Sequence, residues 1–212
     1  GNLDFQEFFI IPSHLHSFAS SLETGAVIYK NMKKLLARRG AIHSVGDEGG
    51  FAPNLFTNLD ALEVLVEAST ESNRKVVVDV ELGLDLAANS FFKDGRYTIK
   101  DRSSPLETVE FIDYLKDLNE QYHLRILEDP LHEDDWRGWS ILTSTLGGQT
   151  SVVGDDLLVT NPQRVKKAIA EKACNAILVK PNQIGTISET IAVIHQSRAA
   201  GWKIIVSHRS GE

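Results

Sequence analysis

Apolar positions along this chain follow two periods that alternate. Short β-branched or aromatic runs over residues 3–11, 76–85, 124–127, 151–153, 176–179 and 203–206 predict six strands. Phe18, Leu22, Ala26, Tyr29, Met32 and Leu36 recur at helical spacing and predict an amphipathic helix over 18–39, closed by Lys33, Lys34, Arg38 and Arg39. A second helix over 59–69 opens on the capping pattern Thr57-x-x-Asp60. Asp94-Gly95, flanked by apolar residues, predicts a small hairpin insert over 91–99. After it, strand and helix simply alternate. Ser104-Pro105-Leu106-Glu107 reads as a capping box for a helix with the stripe Val109, Ile112, Leu115 and Leu118. Further helices are predicted over 136–146, over 163–173 behind Asn161-Pro162, and from Thr186-Ile187-Ser188-Glu189 onward, the last carrying Ile187, Ile191 and Ile194.

Consecutive strands joined by crossover helices are parallel, so their C-terminal ends lie on one face. The residues at those ends are Glu7, Asp85, Glu128, Asp155, Lys180 and His208 with Arg209. Those from Glu128 to His208 stand about 25 to 28 residues apart, the length of one strand and its crossover. A single acid after a strand could be a helix cap. Six charged strand ends in succession predict instead an α/β barrel-like fold with a shared pocket at that face, where barrel enzymes gather their catalytic groups. Six strands are too few for a ring of eight, so the barrel is expected to be incomplete, with exposed edges.

Composition narrows the partners. The chain has 212 residues, 42% hydrophobic and 24% charged, enough for one sizeable core in a single domain spanning 1–212. Twenty-two basic residues against 29 acidic ones give a net charge of −7 with no basic block, which offers no footprint for nucleic acid. One cysteine, Cys174, excludes an internal disulfide and a thiolate cage; it reads as a small buried hydrophobe in a reducing compartment. No apolar run reaches the ~20 residues of a membrane span, so a cytoplasmic location is expected. The chain opens on Gly1 and closes just after a strand, and both ends read as cut.

The strand ends also carry chemistry. Asp85, Glu128 and Asp155 cannot all stay ionised in one confined pocket without a counter-charge, and as hard oxygen ligands they point to Mg²⁺, with Mn²⁺ as a substitute. Lys180 is delivered to the rim of the core just before Pro181 and Gly185 turn the chain away. Partial desolvation is expected to lower its pKa toward that of a working base. Glu7 stands among Phe5, Phe8, Phe9, Ile10 and Ile11, a setting in which a carboxylate is either paired or functional. Glu48 sits in Gly46-Asp47-Glu48-Gly49-Gly50, a stretch flexible enough to bring a carboxylate to a ligand, though equally readable as a solvated acidic turn. Arg209 and Ser210 suit a phosphate. Together these imply a metal-assisted lyase or isomerase that takes a proton from beside a carboxylate.

Several motifs carry a family resemblance: Asp4-Phe5-Gln6-Glu7-Phe8, Gly46-Asp47-Glu48-Gly49-Gly50-Phe51-Ala52-Pro53-Asn54, Glu128-Asp129-Pro130, Gly154-Asp155-Asp156-Leu157, Lys180-Pro181-Asn182-Gln183-Ile184-Gly185-Thr186 and Ser207-His208-Arg209-Ser210-Gly211-Glu212. In combination they resemble the catalytic barrel of the enolases (phosphopyruvate hydratases) over almost the whole chain. The resemblance implies that Lys180 is the base acting on 2-phosphoglycerate, Glu48 the acid that helps the 3-hydroxyl leave, and Glu7 a second substrate-side glutamate. It implies Asp85, Glu128 and Asp155 as ligands of one Mg²⁺, with a second arriving with the substrate. Ser207, His208, Arg209 and Ser210 match the substrate-binding segment, Arg209 and Ser210 on the phosphate. Enolases also carry an N-terminal domain with a mobile loop, a histidine before the segment that starts here and a lysine near the last strand, none of which has a match in this chain. The expectation is therefore an interior piece, weakly active or inactive alone, of an enzyme that pairs as a homodimer when complete. Two alternatives stay open: another superfamily member acting on a different carboxylate, and a non-catalytic binding derivative.

Overall fold

The computed structural model describes residues 1–13, 15 and 17–209. The first half contains β1 (Glu7–Pro12), α1 (Phe18–Arg38), α2 (Asn58–Glu71), β2 (Val80–Asp85), and the hairpin β3 (Phe92–Lys93) with β4 (Arg96–Tyr97). The second half contains α3 (Thr108–Tyr122), β5 (Leu124–Glu128), α4 (Trp136–Leu146), β6 (Ser151–Gly154), α5 (Pro162–Glu171) and β7 (Ala176–Val179). It closes with α6 (Pro181–Ile184), α7 (Ile187–Ala199) and β8 (Lys203–Val206). Six strands form one sheet in the order β1-β2-β5-β6-β7-β8, and every pair from β2 onward is parallel. The sheet curls into an open part-barrel with β1 and β8 at its edges, an incomplete form of the eight-stranded fold.

Alternation along the strands divides the core in two. Outward-facing Leu84, Leu127, Val152 and Ile177 pack against Phe111, Leu115, Trp139, Leu142 and Val165 of the helices, all buried in one cluster. Inward-facing Val153, Ala176 and Leu178 form a second, smaller cluster with Ile126 and Ile205. Burial on both faces explains why β6 and β7 are apolar without alternation. Hydrogen-bonding side chains start the helices where the sequence implies: Thr57 with Asp60 as a reciprocal box, Asn161 on the N–H groups of Gln163 and Arg164, and Thr186 on that of Glu189. The hairpin is anchored by Tyr97, fully buried, which stacks on Phe111 at 4.5 Å and whose hydroxyl accepts the His132 N–H at 3.0 Å.

Five expectations need correction. β1 runs antiparallel to β2, with Glu7 opposite Asp85, so Glu7 begins its strand instead of ending it. It still reaches the common face, because the start of an antiparallel strand lies beside the ends of its neighbours. The strand predicted over 76–85 begins only at Val80, since the Asp79 carboxylate accepts the Lys75 N–H at 2.7 Å and folds 75–79 into a turn. The helix expected after Ser104 starts at Thr108, with Glu107 and Glu110 forming the box, because Leu106 and Tyr97 exchange two backbone hydrogen bonds of 2.8 Å. In α1 the buried residues are Thr24, Ile28, Met32, Leu35 and Leu36, while Phe18 and Leu22 face solvent. In α7 Thr190, Val193 and Ser197 are buried, and Ile187 and Ile191 are exposed.

Candidate active site

A cavity of about 420 Å³ opens at the face where β2, β5, β6, β7 and β8 end and β1 begins. Glu7, Glu48, Asp85, Glu128, Asp155, Lys180, Ser207, His208 and Arg209 all line it, so the structure brings the sequence candidates together. Ser210 lies outside the described residues. Phe9, Leu178 and Ile205 form an apolar floor. The floor depends on a glycine: a Cβ on Gly83 of β2 would stand 2.3 Å from the ring of Phe9, directly opposite it in β1. A second cavity, about 710 Å³, lies between β1 and the helices α1 and α2, and its lining is mostly apolar.

On one wall, Glu7 and Glu48 hydrogen-bond to each other. Burial raises the pKa of Glu7, the bond to Glu48 and the Glu48 charge raise it further, and His208 and Lys180 oppose the rise. Its burial and the hydrogen bond between the two carboxyls both favour the protonated form of Glu7. The loop presenting Glu48 closes through Gly46 N–H to Gly50 O at 2.9 Å, and Gly49 adopts φ 83°, a conformation suited to glycine. Tyr29 of α1 holds the loop in place, its hydroxyl donating to Gly49 O at 2.8 Å and its ring stacking on Phe51 at 4.4 Å.

Opposite lie the acids of β2, β5 and β6. Asp85 and Glu128 are cross-strand neighbours on adjacent parallel strands. Burial, then the charge of Glu7, pushes Asp85 up to about 7; burial, then the charge of Asp85, pushes Glu128 up to about 9. Both values describe carboxyls short of counter-charge. The tightest oxygen group among the described residues is nevertheless Asp129, Asp155 and Asp156, whose ligand atoms lie within 4.8 Å of one another. Asp129 is already committed, since its two oxygens accept the N–H groups of Asp155 at 3.0 Å and Asp156 at 2.7 Å. It is a buried clamp that sets the loop after β6. Asp85, Glu128 and Asp155 keep oxygens facing the cavity, and a set made only of carboxylates with excess negative charge fits a hard divalent cation.

Lys180 departs from expectation. Burial does pull its pKa down, but a 2.5 Å hydrogen bond to Asp155 and the charges of Asp155 and Glu128 outweigh that, and the net shift is upward; Arg209 opposes it. The lysine is held protonated by the same carboxylates that invite a cation.

The backbone is strained at this face. Ala87, Asp129, Val159 and Thr160 adopt left-handed φ values of 44°, 40°, 44° and 51° on the loops after β2, β5 and β6. Such conformations cost roughly 1–3 kcal/mol each in residues other than glycine and persist where the surroundings over-determine them. Sequence reasoning assigned no role to Asp129, Asn89, Thr160, Gln183 or Arg164. Asn89 bridges Glu133 at 3.0 Å and Asp156 at 3.1 Å, and Arg164 donates to the carbonyls of Leu157 and Glu133. The only signal in the sequence was that Glu128-Asp129 and Asp155-Asp156 are doublets, each offering a second acid.

Residues 1–212 match the family model described as the enolase C-terminal TIM barrel domain. The chain belongs to this family. The family is of the lyase type, and the curled six-stranded sheet of this chain is an incomplete form of that TIM barrel. No helix among the described residues is long and apolar enough to cross a membrane.

Proposed function

We propose that this enolase-family barrel serves the reversible dehydration of 2-phospho-D-glycerate to phosphoenolpyruvate, a step of glycolysis and gluconeogenesis. One observation carries the reading: a lysine, a hydrogen-bonded glutamate pair and an arginine line the same 420 Å³ cavity. That is the arrangement required by an elimination in which a proton leaves one carbon and hydroxide leaves the next.

In this reading Arg209 and Ser210 hold the phosphate end of the substrate and orient C2 toward Lys180. The charges of Asp155 and Glu128 that hold Lys180 protonated would be offset by a divalent cation on those acids; in its neutral form Lys180 removes the C2 proton, and the electron pair moves into the substrate carboxylate. Glu48, hydrogen-bonded to Glu7, delivers its proton to the 3-hydroxyl; the C3–O bond breaks, water leaves, and the C2–C3 double bond forms. Asp85, Glu128 and Asp155 would hold Mg²⁺, which when bound supplies positive charge against the substrate carboxylate and the buried acids. The apolar floor of Phe9, Leu178 and Ile205 keeps water from the reacting carbons. A small phosphorylated carboxylate and a cytoplasmic setting complete the proposal.

Titrating 2-phosphoglycerate into the folded chain with and without Mg²⁺, and following the ultraviolet absorbance of the enol phosphate, tests it. Mg²⁺-dependent binding is expected, with turnover, however slow, that Lys180→Ala abolishes. A folded chain that neither binds nor converts the substrate, or a Lys180→Ala chain with parental turnover, overturns the assignment.

A further inference from the structure

Asp155 is gripped at both carboxylate oxygens, and only one of the two grips belongs to the reaction proposed above. Lys180 Nζ donates to Oδ2 at 2.5 Å, while Gln183 Nε2 donates to Oδ1 at 3.0 Å. Gln183 lies on α6, the single turn after Lys180, where its backbone N–H donates to Lys180 O at 3.0 Å. A side-chain amide can face a carboxylate with either end, and only the NH₂ end binds it. Thr160 decides which. Its hydroxyl accepts the Lys180 N–H at 3.0 Å, so its own proton is free for Gln183 Oε1, 2.8 Å away. That bond fixes the carbonyl of Gln183 toward Thr160 and the NH₂ toward Asp155. The result is a closed, directional ring: Lys180 backbone to Thr160, Thr160 to Gln183, Gln183 to Asp155, and Lys180 side chain to Asp155.

Thr160 fits this role and little else. It is fully buried and, although β-branched, adopts φ 51° directly after Val159 at φ 44°. The strain places a hydroxyl between the ends of β6 and β7, where backbone alone leaves the Lys180 N–H without a partner.

We infer that Thr160 and Gln183 are positioning residues for Asp155. By anchoring Oδ1 they stop the carboxylate from swinging, leaving Oδ2 as the oxygen turned to the pocket, where the Lys180 ammonium sits and a divalent cation would compete with it. The inference rests on the reading of Asp155 as a cation ligand.

Calorimetric titration of Mg²⁺ into the full chain tests it, with the metal-free melting temperature recorded for each variant. Thr160→Val keeps the shape and removes the hydroxyl; Gln183→Met keeps the length and removes the amide; Thr160→Ser restores the hydroxyl. Loss of a partner that orients a metal ligand weakens affinity by roughly 10- to 100-fold, which is expected for Thr160→Val and Gln183→Met, while Thr160→Ser stays within about threefold of the parent. A purely structural ring would lower the melting temperature and leave Mg²⁺ affinity alone, and that result overturns the inference. So does Thr160→Ser binding as weakly as Thr160→Val. If Thr160→Val does not fold, Gln183→Met decides, being only half-buried. A parent chain that binds no Mg²⁺ overturns the proposed cation site itself, an outcome distinct from parental binding in the variants.

Discussion

Asp129→Asn replaces the buried clamp beneath the cavity with a side chain of the same shape. Asp129 is 4% exposed, and its two oxygens accept the N–H groups of Asp155 and Asp156. An asparagine can accept one of these; its NH₂ then faces the other N–H, donor against donor. A buried N–H left without an acceptor costs about 1–3 kcal/mol. The opposing effect is relief of charge, because burial pushes the Asp129 carboxyl well above the ordinary range even as the two backbone bonds pull it down. The clamp should win, since both oxygens are matched by donors and the asparagine cannot satisfy both. For a chain of this length about 2 kcal/mol corresponds to a fall in melting temperature of roughly 4–8 °C. Because Asp155 hangs from the same loop, Mg²⁺ affinity should fall as well, by about tenfold. Thermal melts of the metal-free variant at pH 8, followed by Mg²⁺ titration, measure both quantities. A melting temperature equal to or above that of the parent would show that Asp129 contributes repulsion and no clamp, and would refute the argument.

The raised acids make a pH prediction. With Asp85 near 7 and Glu128 near 9, the folded state holds protons more tightly than the unfolded chain. Their contribution to stability is therefore complete below the unfolded carboxylate range and is lost as pH rises through about 7 and about 9. Metal-free melting temperature should fall from pH 6 to pH 9, Mg²⁺ should flatten the fall, and Mg²⁺ binding should release protons, seen as a buffer-dependent calorimetric heat; a flat metal-free profile contradicts this. Arg164→Ala removes hydrogen bonds to Leu157 O and Glu133 O and a guanidinium 5.2 Å from the Trp136 ring, so urea denaturation should show a loss of roughly 1–3 kcal/mol. Arg164→Lys should not restore it, because a single ammonium cannot span both carbonyls.

Much of the site could be read before the fold was known because the alternation of strand and helix forces strand ends onto one face. Asp85, Glu128, Asp155, Lys180 and Arg209 needed only that rule. Glu7 reached the right place by a route the pattern did not contain: alternation reports which faces a strand buries, and carries no information about its direction. Asp129 was opaque for a related reason. Neighbouring residues in a doublet point to different sides, and nothing in Glu128-Asp129 says which meets solvent and which meets backbone. The protonation of Lys180 depends on its 2.5 Å separation from Asp155, a distance no sequence states. The exposed Ile187 and Ile191 show the same limit in a helix, where periodicity defines a stripe and neighbouring elements decide whether it is covered.

The reversed direction of β1 governs where the chain can tolerate change in length. After β2, β5, β6 and β7, the connecting loop begins at the cavity, so an insertion there lands among the reacting groups. The connection that leaves β1 begins at the far end of the sheet, where Ser13 N–H donates to Asp79 O at 2.9 Å beside the start of β2. Added residues between β1 and α1 would hang at the base of the barrel, away from Lys180. Relatives of this chain should therefore differ more freely in length there than across the stretch leading into Glu7.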